Sequence, residues 1–216
     1  MYYSNQDILQ LEKFYRRNLI NSLSGFKSLM LCGTQNKAGQ TNLSLISSVV
    51  HVGATPPYVG MIMRPPVVER HTYENIIETE VYTLNHVQES YYQAAHQTTG
   101  RYDREQSEFD AAGLHTWYQE GIAAPFVQEA DIKIGLKLVE RYDIKVNGTV
   151  MLIGEVVALH LPDACVGEDG YIDHHKAGTL TVSGLDAYHK TQKIDRLSYA
   201  KPDRPITTME DFHETR

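Results

Sequence analysis

The apolar positions change period along the chain, and that change divides it into elements. Between Gln6 and Asn21, Ile8, Leu11, Phe14 or Tyr15 and Leu19 recur at helical spacing, with Arg16 and Arg17 near the end where the helix dipole favours cations. This run predicts one opening helix over about 6–21. The period then shortens. "FKSLMLCGTQ" reads as a strand, "NKAG" as its turn, and "TNLSLISSVVHVG" as a polar-rimmed strand or its irregular start. "YVGMIMR" is a third strand, entered through Pro56-Pro57, which are not expected to sit in a ladder themselves. Thr72 is placed to cap a short helix over Tyr73 to Thr79, and "VYTLNHV" alternates as a fourth strand.

From Gln88 to Ala112 the chain is polar and helix-compatible, with a stop at Thr98-Thr99-Gly100. Strand pattern returns after Gly121 in "PFVQEADIKIGLKLVERYDI", and "GTVMLIGEVVALHLP" carries the strongest strand signal of all. Gly154 inside it predicts a bulge or a close approach by another backbone. A loop of Gly, Asp and His precedes "TLTVSGLDAYH", and the tail from Pro202 is polar, frayed or wrapped on a neighbour. Six or more strands joined by turns predict an all-β core with helical insertions, closing or nearly closing as an antiparallel barrel. The expected organisation is a single domain over 1–216, with a helical insertion at about 88–120 and a C-terminal extension at about 186–216.

Composition narrows the function classes. The 216 residues are 42% hydrophobic, enough for one core, and 27 acids against 20 bases give a formal charge of -7 without a basic stripe. Nucleic acid is therefore not an expected partner. No run reaches the roughly 18 apolar residues of a membrane helix, and the first residues lack the cationic-then-apolar order of a signal peptide, so a cytoplasmic protein without a membrane partner is expected. Cys32 and Cys165 form no CxxC and read as free buried thiols. Fourteen tyrosines against five phenylalanines favour rings with one polar end at interfaces and clefts.

Two clusters carry candidate chemistry. Thr41, Asn42, Ser44, Ser47 and Ser48 follow the first turn; in a regular strand Asn42, Ser44 and Ser48 share one face, and a bulge would bring both sets to one ligand. Their hydroxyl and amide groups suit the edge of a heteroaromatic ring or a phosphate. Arg64 ends the third strand, and Arg70, His71 and Thr72 stand where a helix begins. Guanidinium groups beside helix-start N–H groups make a site for a terminal phosphate. No nucleophile with its base, no zinc-protease pattern and no spaced carboxylate pair is present, so no catalytic side chain is assigned. His51, His71, His160 and His189 are the bases nearest the expected cleft, and the adjacent His174 and His175 would point to opposite faces of a strand, so no metal site is assigned.

The stretches "GTQNKAGQTNLSLISSVVHVGATPPYVGMIMRP", "RHTYENI" with "VYTLNHV", and "GTVMLIGEVVALHL" resemble the flavin reductase-like proteins over roughly Ser22 to Leu185. The resemblance implies an FMN-binding split barrel that works as a homodimer, with FMN in the groove between protomers. It places Thr41, Asn42, Leu43, Ser44, Ser47 and Ser48 along the flavin, and Arg70, Thr72 and Asn75 at its phosphate, where the reading of the residues themselves adds Arg64 and His71. Asn85 matches the Asn that closes a family strand, and Tyr188 and Lys190 are candidates to reach the phosphate or a substrate anion from the C-terminal segment. NADH or NADPH is the implied electron donor and a small molecule the acceptor. The chain departs from the family in "TPP" at Thr55–Pro57, in the long polar insertion, and in "GLDAYHKTQKIDRLSYAKPDRP" after the last barrel strand. An insertion or tail lying over the ring would leave a flavin-binding or electron-carrier protein instead of a reductase. Action on another bound small molecule, or haem held by His51 or His160, are the other readings that stay open.

Overall fold

The N-terminal apolar run folds as two helices, α1 (Asn5–Gln10) and α2 (Lys13–Ser22), in a computed structural model that describes residues 1–209. The single helix expected over 6–21 breaks because Leu11 leaves the helical region (φ -55, ψ 143) and Glu12 starts again. The Glu12 carboxylate accepts from the N–H groups of Phe14 and Tyr15 at 2.8 and 2.9 Å, which satisfies donors that an isolated helix start would leave open.

After β1 (Lys27–Ser28) come β2 (Met30–Gln35), β3 (Thr41–Ile46), β4 (Val49–Ala54) and β5 (Pro57–Met63). The run read as one strand through "TNLSLISSVVHVG" is thus β3 and β4, separated by Ser47 and Ser48. Pro57 does enter the ladder, opposite Ala54 at the first place of β5. A first strand position tolerates proline. Helix α3 (His71–Thr79), β6 (Val81–His86), α4 (Tyr92–Gln97) and α5 (Glu108–Ala112) follow. The expected helical insertion therefore holds two short helices and also the strand β7 (Thr116–Gln119), which pairs with β8 (Ile122–Val127). The long strands β9 (Lys133–Ile144) and β10 (Thr149–His160) precede β11 (Leu180–Ser183) and β12 (Ala187–Lys190).

Seven strands form one antiparallel sheet in the order β3-β2-β6-β9-β10-β5-β4. Its two edges, β3 and β4, are consecutive in the chain with two residues between them. Laid flat, seven strands would separate those edges by about 29 Å. The Ser47-Ser48 link spans only about 11 Å. The sheet must therefore curl until its edges nearly meet, and it remains split there, because β3 pairs only with β2 and β4 only with β5. Ser48 pins the crossover: its hydroxyl donates to the Ile62 carbonyl at 2.7 Å, and its own carbonyl accepts from Ile62 N–H at 3.1 Å.

Strand β2 is buried on both faces, which explains its unbroken apolar run. Met30 and Cys32 face the barrel interior with Met61, Tyr82, Leu84, Leu136 and Leu152, where α3 adds Tyr73 and Ile76. Leu31, with Leu43, faces a second core closed by Tyr91, Ala95 and Phe109 of the insertion and by Leu180 and Val182. Gly154 marks the expected bulge, with the register shifting between Ile153 and Gly154, but the group that approaches it is a side chain and not another backbone: a Cβ there would run into the Tyr82 ring and hydroxyl. Cys32 and Cys165 are free and buried. Strands β1, β11 and β12 form a separate sheet, so the extension begins as ordered structure. The tail from Pro202 folds back through bridges Leu197–Thr208 and Lys201–Arg204, and its last part, 210–216, lies outside the described residues.

Candidate functional site

The split between β3 and β4 opens into a cleft of about 450 Å³. Its walls are the end of β3 with the Ser47-Ser48 link, the end of β5 with Arg64, the start of α3 with Glu69 to Thr72, and Thr98 to Tyr102 and Glu108 from the insertion. The volume falls within the roughly 300–1,000 Å³ typical of cofactor clefts.

Helix α3 begins two residues earlier than the capping pattern suggests, at His71 instead of Tyr73. Arg70 is the N-cap, without a side-chain cap bond, and Thr72 lies inside the first turn. Thr72 has a capping hydroxyl, but a different partner claims it. Thr72 Oγ1 donates to Asn42 Oδ1 at 2.6 Å and contacts Ser44 Oγ at 2.9 Å. With the Thr72 proton given to Asn42, the Ser44 hydroxyl completes the second contact as donor, and its oxygen lone pairs are what it offers to the cleft that it lines. The first N–H groups of α3 have no intrahelical partners, as at any helix start, and they belong to His71 and Thr72, which line the same space.

Behind this contact lies a buried polar chain. Asn42, Thr34, Asn75 and Thr72 are all buried. Asn75 Nδ2 donates to Thr34 Oγ1 at 3.1 Å, and Thr34 Oγ1 reaches Asn42 Oδ1 at 3.4 Å. Asn42 Nδ2 donates to both oxygens of Glu108. The chain locks α3 to β3, so the helix start and the serine-bearing strand hold a fixed spacing across the cleft.

Charge concentrates at the α3 end. Arg64, Arg70 and Arg101 face Glu69 and Glu108 among the lining residues. Glu69 is already neutralised by Arg104, whose Nη2 lies 3.2 Å away and also contacts Glu74, and His71 Nε2 is 3.5 Å from Glu69. The Arg104 hydrogen bond, followed by the His71 charge, holds the Glu69 carboxyl below its usual range. The Arg70 backbone N–H donates to Glu74 Oε1 at 2.9 Å, its guanidinium donates only through Nε, to the Pro65 carbonyl at 3.4 Å, and Arg64 and Arg101 make no ion pair with another described residue. Three guanidinium groups thus keep nitrogen donors open beside a helix start. That donor set fits a phosphate.

Of the residues singled out in the sequence, Asn42, Ser44, Ser47, Ser48, Arg64, Arg70, His71 and Thr72 line the cleft together. The strand is regular through Ile46, so no bulge brings Thr41 round; its hydroxyl instead bonds Ser107 Oγ at 2.7 Å. Leu43 is fully buried in the second core, and Asn75 supports from behind. Tyr188 bonds His96 on α4, and Lys190 pairs with Glu89, both away from the cleft lining. Asn85 is a packing residue: it donates to the Leu31 carbonyl at 3.1 Å and accepts from Val127 N–H at 3.0 Å. His51 and His160 are outside the lining, and His160 is held between Gln119, Trp117 and Phe126. The same holds for His189, whose Nε2 bonds Ser183 Oγ at 2.8 Å. Glu108 and Thr98 to Tyr102 escaped the sequence reading, because nothing local in a charged insertion shows which side chain turns inward.

The flavin reductase like domain pattern matches residues 27–180. A split barrel domain protein of Shewanella frigidimarina, named as a candidate flavin reductase, is 50% identical, with TM-score 0.90 over 93% of this chain and 100% of that one. Nitrilotriacetate monooxygenase component B of Bacillus cereus superposes with TM-score 0.79 at 22% identity, covering 91% of this chain and 98% of that one. Flavoredoxin of Desulfovibrio vulgaris does so with TM-score 0.69 at 22% identity, covering 94% and 98%. At that identity the last two speak for the fold, which is the split barrel expected from the sequence.

Proposed function

The chain belongs to the flavin reductase-like family of flavin-related oxidoreductases, and on that premise we propose that it binds FMN in the β3–α3 cleft and oxidises NADH or NADPH. One observation carries the reading: the open guanidinium groups of Arg64 and Arg70, the start of α3 and the hydroxyls of Ser44, Ser47 and Ser48 line one cleft. Arg64, Arg70 and the α3 N–H groups would hold the phosphate; the serines would bond the ring edge. The terminal phosphate chemistry of this end is what favours FMN over riboflavin. Bound flavin supplies hydride acceptance and its onward transfer; the chain's own residues hold and orient the ring and limit water.

A homodimer belongs to the same proposal. Val50 and Val52 are exposed on the edge strand β4, and the apolar outer face of β4, β5 and β10 runs to the cleft through Ile62. A second copy seated there would cover both the face and the open side of the cleft. Among the described residues no helix is long and apolar enough to cross a membrane.

A second reading, a flavin-binding electron carrier, draws on Thr98 to Tyr102, which the insertion places at the cleft. One experiment separates them. Heat-released chromophore from the purified protein is identified by mass, and NADH and NADPH consumption is followed with added FMN. FMN with steady turnover is the expected result; FMN reduced only by dithionite makes the protein a carrier, and release of no flavin, with none taken up on titration, sinks both.

A further inference from the structure

Glu108 stands at the first position of α5, inside the insertion, yet it is 6% exposed and reaches the cleft. Its two oxygens accept from Asn42 Nδ2 at 2.6 and 2.7 Å, and Oε2 also accepts from the Leu43 backbone N–H at 2.9 Å. Among the described residues no cation pairs with it. A buried carboxylate is costly unless its acceptor sites are filled, and here β3 alone fills them.

That arrangement dictates the orientation of Asn42. A carboxylate accepts only, so the Asn42 nitrogen must face Glu108 and its oxygen must face the hydroxyls of Thr72 and Thr34. With the amide reversed, Asn42 would set an oxygen against two carboxylate oxygens and a nitrogen against the proton of Thr72. Glu108 therefore decides whether Asn42 can hold Thr72, and Thr72 in turn fixes the first turn of α3 beside Ser44.

We infer that Glu108 is a positioning residue for the flavin: from behind β3 it sets the spacing between the phosphate end and the ring-edge end of the cleft. This rests on the reading of the cleft as an FMN site. The insertion then serves as a brace for the binding strand, through a side chain that touches Asn42 and Leu43.

The test is an exchange of the two groups. Glu108→Gln offers one acceptor and an unwanted donor, so FMN affinity, read by quenching of flavin fluorescence, is expected to weaken roughly tenfold. In the double variant Asn42→Asp with Glu108→Gln, the Gln amide donates to Asp, its oxygen accepts from Leu43 N–H, and the second Asp oxygen still accepts from Thr72. Wild-type FMN affinity is expected to return. Glu108→Gln binding FMN like wild type overturns the inference, as does an exchange that restores the melting temperature but leaves FMN binding weak. Should Gln alone prevent folding, the exchange still decides. Wild-type protein that takes up no flavin removes the reading of the cleft itself, and the inference with it; an unaffected Glu108→Gln leaves that reading standing.

Discussion

Thr72 Oγ1 and Asn42 Oδ1 lie 2.6 Å apart, both buried, and join the first turn of α3 to the start of β3. Replacing Thr72 by Val keeps the shape and removes the donor, leaving a buried amide oxygen with only the long contact to Thr34. The expected loss is about 1–3 kcal/mol in urea unfolding, with weaker FMN binding. Thr72→Ser should recover most of both. Equal stability of the Val and Ser variants would show that the bond is incidental.

The open donors of Arg70 call for a different readout. Arg70→Ala should weaken FMN roughly tenfold to a hundredfold, the effect of one charge-assisted bond, and leave riboflavin binding nearly unchanged. Titration with both flavins by fluorescence quenching checks it. Equal losses for the two would mean that Arg70 supports the fold of the Arg64–His71 turn instead of meeting a phosphate.

Tyr82 and Gly154 form a second pair whose chemistry is unsatisfied. The Tyr82 hydroxyl is buried without a hydrogen-bond partner among the described residues, and Gly154 leaves it the space a Cβ would take. Tyr82→Phe removes the stranded hydroxyl and is expected to stabilise by about 1 kcal/mol. Gly154→Ala forces a methyl into the ring and should cost about 1–3 kcal/mol. The double variant should lose less than Gly154→Ala alone, because the nearest colliding atom is gone. Strict additivity of the melting shifts would contradict the contact.

His86 supplies a pH dependence. Its ring is buried and stacks on His174 with centroids 5.1 Å apart, and Nδ1 has no partner among the described residues. Burial first, and the His174 charge second, lower the imidazole from 6.5 to about 4. Burial also lowers His174, against the pull of Asp173. Between those values the unfolded chain takes up the proton and the native one does not. The contribution is complete above pH 6.5 and is lost as pH falls toward 4, by an amount on the order of 1–3 kcal/mol. His86→Leu should flatten the fall in urea midpoint between about pH 7 and pH 4.5. An unchanged slope would place the acid sensitivity elsewhere.

Local pattern made β2 and β10 legible, because a strand buried on both faces cannot disguise its apolar run and Gly154 marks the bulge in β10, although not the Tyr82 ring that lies against it. What local pattern cannot show is competition at a distance. Thr72 has the chemistry of a cap, but a partner 30 residues away takes its hydroxyl. Glu108 sits among charged neighbours, and only a partner 66 residues away distinguishes it from them. The closure of the sheet is hidden for a related reason: Ser47 and Ser48 look like more strand, and their role appears only once β3 and β4 are known to be opposite edges. Leu11 and Glu12 were within local reach, since an acidic residue two and three places before Phe14 and Tyr15 N–H can restart a helix, yet the apolar spacing ran through the break.

The outer face beside the cleft gives the last prediction. Val50 pairs with Gly60 and Gly60 with Ile153, so these three form one row across β4, β5 and β10; Ile62 and Met151 form the next. A Cβ at Gly60 would strike Met151, Val52 and Val50, whose side chains close over it. The row is apolar, Val50 is 47% exposed, and Ile62 carries the face into the cleft. In the proposed homodimer this surface meets its own copy across a twofold axis, so a substitution appears twice. Val50→Glu would then bury two carboxylates without partners, a cost of several kcal/mol. The protein should sediment as a monomer, and FMN retention should fall with it, because the partner no longer covers the open side of the cleft. A dimer that survives Val50→Glu would move the interface elsewhere, and a monomer that keeps wild-type FMN affinity would show that each chain holds its flavin alone.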